Sequence, residues 1–206
     1  MKRLLFFVLM LFASSLYAQQ KPDELVKQVT DDVMKAIQSD KQLAAGDKQK
    51  ALKLAEEKIL PHVDFEEATR LAVGRSWRSA SAAQRKQLTD EFRRMLLRTY
   101  SNAISAYQGQ VMKVLPLHMK AEETDVTVRN QYIRPGQTPV QVDYQMHKVG
   151  DTGKIYDIIV EGVSLVLTYR SEFDQVVKDS GIDGLIKRIA TKNEPASVGS
   201  GSAAKK

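Results

Sequence analysis

Cysteine is absent from all 206 residues, which removes disulfides, thiol nucleophiles and Cys-based metal sites together. Histidine is scarce: His62, His118 and His147 stand far apart, and none belongs to a His-Glu-x-x-His pattern or a near relative. There is no glycine-rich phosphate loop, because "GVSL" and "SGIDG" lack the lysine and the strand–loop–helix setting such a loop needs. No Gly-x-Ser-x-Gly elbow occurs. The apolar run from Leu4 to Phe12 is too short to span a bilayer comfortably. What remains for general acid/base work is Asp143, His147 and Asp157, on neighbouring predicted strands. Alternation puts all three on the polar face, opposite Tyr144 and Tyr156, as solvated sheet residues.

What is present begins with an export signal. "MKRLLFFVLMLFASSLYA" has a basic start, an apolar stretch and a small-residue end, the layout of a secretory signal peptide cleaved after Ala18. No cysteine follows to carry a lipid anchor, so the mature chain is expected to be exported to the periplasm. The formal charge of +6 falls to +4 once Lys2 and Arg3 are removed. Export argues against nucleic acid as the partner of that charge. A solvated basic surface, or transient contact with anionic membranes or acidic partners, fits better.

The first half of the chain reads as helix. "PDELVKQVTDDVMKAI" spaces Leu25, Val29, Val33 and Ile37 four apart, with Pro22 suited to a first turn. A second helix spans about 47–60, and Pro61 stops it. Asp64 with Glu67 opens a third, which Gly74 ends, and "SAAQ" at 81–84 is a capping box. That box opens the longest helix, about 82–107, with Leu88, Phe92, Met95, Leu96 and Tyr100 on its apolar face. After Gly109 four strands follow: "QVMKVLPLHM", "DVTVRNQYIR", "PVQVDYQMHKV" and "KIYDIIVEGVSLVL", with "RPGQTP" and "GDTG" as turns between the last three. Two short helices close the chain, the second capped by Asp183, and residues 193–206 form a low-complexity tail. The fold class is α+β: N-terminal helices packed on an antiparallel meander sheet of about four strands, with C-terminal helices. Residues 1–18 are the signal peptide, 19–192 one domain and 193–206 a disordered tail.

The last strand changes phase at Gly162. Tyr156, Ile158 and Val160 alternate on one parity, and Val163, Leu165 and Leu167 on the other. A β-bulge at the glycine would produce this shift and bend the sheet. The long helix would then lie over the concave face, either closing a core with it or enclosing a cavity. The residues alone favour a core.

Three blocks carry a family resemblance: "ATRLAVGRSWRSASAAQRKQLTDEF" (68–92), "KIYDIIVEGVSLVLTYRSEF" (154–173) and "GIDGLIKRI" (181–189). In order and spacing they resemble the MlaC, or toluene-tolerance auxiliary, family of periplasmic phospholipid-binding proteins. Many relatives place a tryptophan where this chain has Gly153. The resemblance implies a cone related to the NTF2-like fold that encloses an apolar cavity. It implies no enzymatic activity and no cofactor, with phospholipid as cargo ferried between the two membranes to maintain outer-membrane lipid asymmetry. The implied partners are an outer-membrane lipoprotein–porin complex and an inner-membrane ABC transporter with an MCE-domain subunit, served by a monomer. The alternatives are a periplasmic adaptor with a dry core and an NTF2-like isomerase or dehydratase.

With a cavity implied, parity nominates its lining. The sheet supplies Val142, Tyr144, Tyr156, Ile158, Val160, Val163 and Leu165, and the helices Leu71, Val73, Leu96 and Tyr100. Arg75, Arg78, Arg85 and Lys86 cluster about one turn and helix start as candidates for docking on partners or membranes.

Overall fold

Pro22 opens helix α1 (Pro22–Ser39), where its missing N–H costs nothing. The computed structural model describes residues 20–105, 110–120, 122–150 and 152–194. The predicted signal peptide and the tail after Glu194 lie outside these, as does the end predicted for the longest helix. A single turn, α2 (Lys41–Ala44), unforeseen in the sequence, is capped by the Asp40 carboxylate. Helix α3 (Lys48–Lys58) is capped by Asp47, and a 3-10 turn containing Pro61 follows it. Asp64 Oδ1 accepts the Glu67 N–H at 2.9 Å and starts α4 (Phe65–Val73), which ends at Gly74 with φ +66°. Both halves of the capping box form at α5 (Ala82–Ser105): Gln84 N–H to Ser81 Oγ at 3.2 Å, and Ser81 N–H to Gln84 Oε1 at 3.0 Å.

The sheet has five strands, not four, in the order of the chain and antiparallel throughout: β1 (Val111–Val114), β2 (Asp125–Ile133), β3 (Val140–Val149), β4 (Thr152–Val160) and β5 (Val163–Ser164). The fifth strand corrects the reading of Gly162. Glu161 (φ +49°) and Gly162 (φ +81°) both sit in the left-handed region, the pair of conformations a two-residue type I′ hairpin turn requires. Val160 then pairs with Val163 and Ile159 with Ser164. The chain reverses at the glycine instead of bulging. A bulge does exist, six residues earlier. Met146 pairs with Ile155 and Gln145 with Asp157, leaving Tyr156 unpaired between them. The Tyr156 ring meets His147 edge-on at 5.2 Å, so it stands on the face of Gln145 and His147 and not on that of Ile158, as alternation had predicted.

Helix α6 (Arg170–Asn193) is interrupted at Gly181 (φ +71°), where the sequence places a turn between two helices. The Asp183 carboxylate accepts a hydrogen bond from Gln84 Nε2 at 2.7 Å.

Two cores result. In the helical core, Ala72 and Val73 of α4, Trp77, Leu88, Phe92 and Met95 of α5, Val166, and Phe173, Leu185 and Ile189 of α6 pack together without any strand side chain. In the sheet core, Leu25 and Val26 of α1 cover Val126, Val128 and Met146. Gly153 belongs to the second. A Cβ there would lie 3.1 Å from Met146 Cε and 3.9 Å from a Leu25 methyl, so those side chains already use the room above it. The expectation that α5 lays its Leu and Phe side chains on the sheet is thereby corrected, since Leu88 and Phe92 are spent on α4 and α6.

Candidate functional site

The register settles which sheet residues share a face. Val142 lies opposite Val160, and Tyr144 opposite Ile158. Both pairs stand on the face of Val128 and Met146, which pair or align with Tyr144 and Ile155. Leu165 joins them, because its N–H donates to the Ile158 carbonyl at 2.8 Å. Helix α1 covers only the Val126–Met146 end of this face. Val142, Ile158, Val160 and Leu165 are half-buried and belong to neither core.

Polar groups interrupt this apolar face at one place. Tyr132 and Tyr144 join hydroxyls at 2.9 Å, and Asn130, two residues before Tyr132 on the same strand, is fully buried and donates to the Val128 carbonyl at 2.9 Å. Desolvation raises both tyrosine pKa values, that of Tyr144 well above the usual range. They are neutral donors at any physiological pH.

The remaining sequence candidates are dispersed. Val73 is 2% exposed inside the helical core, a packing residue and not a lining one. Leu71 and Leu96 pack against the margin of that core. Tyr100 is half-buried near Tyr169, Thr168 and Asp157, and burial foremost pushes its pKa up to about 12. Val163 is 54% exposed on the edge strand. Tyr156, as described, stands on the opposite face.

Asp157 contradicts its expected solvated role. Only 5% exposed, it accepts from Ser164 Oγ (2.5 Å), Ile158 N–H (2.8 Å) and Val166 N–H (3.2 Å). Desolvation outweighs these donors and raises its pKa. Its partners lie in β4, in β5 and just beyond, so it ties the hairpin closed. The signal for this was available: Asp157 precedes a Ser seven residues on, across the turn. His147 is likewise engaged, with Nε2 3.0 Å from Asp64 Oδ2. Among the described residues no group of three His, Asp or Glu side chains could hold a metal.

The docking candidates divide. Arg75 and Arg78 line a pocket of about 220 Å³ together with Arg70, Leu71, Gly74, Trp77 and Arg170. Arg85 is spent on positioning: Nε donates to the Trp77 carbonyl (3.2 Å), Nη2 to the Arg78 carbonyl (3.3 Å), and its guanidinium lies 5.5 Å from the Trp77 ring centre. Lys86 pairs with Asp90 along the helix at 2.6 Å. Arg70 and Arg170 were missed because they lie outside the Arg75–Lys86 cluster in sequence.

The architecture thus defined is a mixed fold of helices and an open antiparallel sheet, with an apolar sheet face that its own cores leave partly unused. A sequence model described as MlaC protein matches residues 27–191, and the chain belongs to the MlaC family. It is 24% identical over 175 residues to the intermembrane phospholipid transport system binding protein MlaC of Haemophilus influenzae, covering 84% of this chain and 82% of that one. It is 22% identical over 210 residues to toluene tolerance protein ttg2D of Pseudomonas putida, covering 95% and 94%. In structure it resembles a phospholipid-binding protein of Ralstonia solanacearum solved in complex with a phospholipid. That comparison gives a TM-score of 0.77 and 35% identity, covering 84% of this chain and 97% of the other.

Proposed function

We propose that this protein is an exported phospholipid carrier, and that acyl chains lie along Val142, Ile158, Val160 and Leu165, with Tyr144 beside them. The observation that carries the reading is that these side chains are apolar, contiguous on one sheet face, half-buried and outside both cores. A folded chain normally consumes such a face internally. The Ralstonia relative, solved with a phospholipid and aligned over nearly its whole length, supports a lipid as the occupant. Leu71, Leu96 and Tyr100 border the helical side of the same proposal.

The energetics suit a carrier. Each buried methylene is worth about 0.8 kcal/mol, so a 16-carbon chain resists exposure to water by roughly 12 kcal/mol. A protein that only offers an equivalent apolar surface needs no catalytic group. The transport system named for the Haemophilus relative supports shuttling between membranes. In this reading an outer-membrane lipoprotein–porin complex stands at one end and an inner-membrane ABC transporter with an MCE-domain subunit at the other. The signal-peptide pattern of residues 1–18 supports a periplasmic address and a mature domain spanning 19–192. Direction would come from differential affinity at the two ends.

Mass spectrometry of an organic extract of the purified mature protein tests the proposal. Diacyl phospholipid near one per chain is expected. A clean extract from protein that also fails to take up lipid from vesicles would defeat it in favour of an adaptor. A small non-lipid metabolite would reopen the isomerase or dehydratase reading.

A further inference from the structure

The arginine pocket shares none of Val142, Ile158, Val160 and Leu165 with the apolar sheet face. Three separate segments build it: the end of α4 (Arg70, Leu71), the 3-10 turn at 74–79 (Gly74, Arg75, Trp77, Arg78) and the first residue of α6 (Arg170). Four arginines are among the seven residues that line about 220 Å³. Only Arg70 has a carboxylate, forked between its Nε and Nη2 and the two oxygens of Glu67. Arg75, Arg78 and Arg170 form no ion pair among the described residues. Like charges gathered this way repel, and among the described residues no carboxylate pairs with three of them.

The pocket is nevertheless built, not incidental. Gly74 leaves space for Arg170: a Cβ there would stand 3.1 Å from both Nε and Nη2 and 3.3 Å from Cζ. The backbone on which Arg78 sits is pinned by Arg85, which holds the carbonyls of both Trp77 and Arg78. Trp77 itself is buried. So Arg170 is seated against Gly74, and the backbone that carries Trp77 and Arg78 is fixed.

We propose that this pocket binds a phosphate group. A guanidinium presents a planar fork of donors that matches two oxygens of one anion. A carboxylate has only two oxygens to offer, whereas a phosphate can engage forks arriving from several directions. Three arginines without a carboxylate partner, two from the 74–79 turn and one from the start of α6, line the same concavity and therefore favour the tetrahedral anion over a single acidic side chain. The phosphate could belong to a lipid headgroup or to a free phosphate ester, and the chemistry of capture is the same.

Trp77 is the only tryptophan in the chain and lines the pocket, so its fluorescence reports directly. The mature protein is titrated with inorganic phosphate at constant ionic strength set by chloride, and thermal unfolding is followed in parallel. Expected is a saturable change in Trp77 emission and a rise in the unfolding midpoint, as for any ligand of the native state. Arg75→Gln with Arg170→Gln should weaken phosphate at least ten-fold. Lys35→Gln with Lys148→Gln, which removes the same charge at exposed sites elsewhere, should leave it unchanged. Repeating the titration on delipidated and lipid-loaded protein separates the sources. Loss of the response on loading identifies a cargo headgroup, and an unchanged response a phosphate from outside. The proposal fails if phosphate acts no differently from chloride by either readout. It also fails if soluble polyglutamate saturates the response while phosphate does not, which would make the pocket a dock for an acidic protein. The phosphate titration and its variants do not require that lipid be found in the extract, and only the assignment of the source does, so the carrier proposal and this one can fail separately.

Discussion

The helical core and the sheet face are made of the same residue types and end differently. Phe92 meets Tyr169 and Phe173 edge-on, each with ring centres 5.4 Å apart, and Leu88, Leu185 and Ile189 close around it with no exposed surface. On the sheet, Val128 and Met146 are just as closed beneath α1. A few residues along the same strands, Val142, Ile158 and Val160 are not. The difference lies in the number of partners supplied. Helices α4, α5 and α6 cover one another, whereas α1 alone lies over one end of the sheet, against β1, β2, β4 and Met146 of β3. In the proposed reading, stability of the fold and capacity for a guest belong to different regions.

The largest expected effect sharpens this division. Phe92→Ala should cost about 3–5 kcal/mol, as for a large aromatic removed from a close-packed core. Denaturant unfolding measures it. A loss below about 1 kcal/mol would mean that the helical core is no tighter than the sheet face.

An intermediate effect tests the hairpin that carries Leu165. Asp157→Ala leaves the Ser164 hydroxyl and the Val166 N–H without their acceptor, at about 1–3 kcal/mol. The pH dependence has a definite sign. Asp157 is raised above 3.8, chiefly by desolvation. Between 3.8 and its folded value the native state keeps a proton that the unfolded chain has released, so stability falls as pH rises through that window. Glu172 behaves oppositely. The hydrogen bond from Lys192 foremost lowers it from 4.5, so its contribution is present above that value and is lost as pH falls through the folded one. Unfolding midpoints across the acid range should lose their falling limb in Asp157→Asn and their rising limb in Glu172→Gln. Identical profiles in both variants would contradict the assigned environments.

The smallest effect on stability is expected on the face proposed to hold acyl chains. Leu165→Trp in a closed core would cost roughly 1–3 kcal/mol through overpacking. On a face with unused space it should change the delipidated protein by less than about 1 kcal/mol while sharply reducing co-purified lipid. The reference must be delipidated wild type, because bound lipid stabilises the native state by mass action. A strongly destabilised variant that retains full lipid would erase the distinction between the two regions at Leu165.

How far the sequence was legible follows from the range of the forces involved. Caps at Asp64 and Ser81 are local hydrogen bonds between residues three apart, and both formed as read. Gly162 was ambiguous in kind. A glycine with positive φ and a change of parity describe a bulge and a reversing turn equally, and only the pairing of Val163 with Val160 decides. Tyr156 went to the wrong face because the true bulge carries no glycine to mark it. Val73 and Ile158 are indistinguishable by periodicity. One is closed by α5 and α6, the other left half-open, and which occurs depends on tertiary coverage. Arg170 joined Arg75 across ninety-five residues through contact with Gly74, a juxtaposition no spacing rule contains.

The shortness of β1 and β5 has a further consequence. The long strands β2, β3 and β4 would be ready templates for another chain if their flanks were bare. Instead β1 pairs with the last residues of β2, and Leu115 N–H reaches the Arg129 carbonyl. Along β4, Ile155 is bridged by Val63 and accepts from Asp64 N–H, Ile158 accepts from Leu165 N–H, and β5 takes the end. The outermost strands are then four and two residues long, too short to recruit a strand with much cooperativity. A protein crowded among its own copies can therefore bare a greasy sheet face without seeding fibres from the flanks of that sheet.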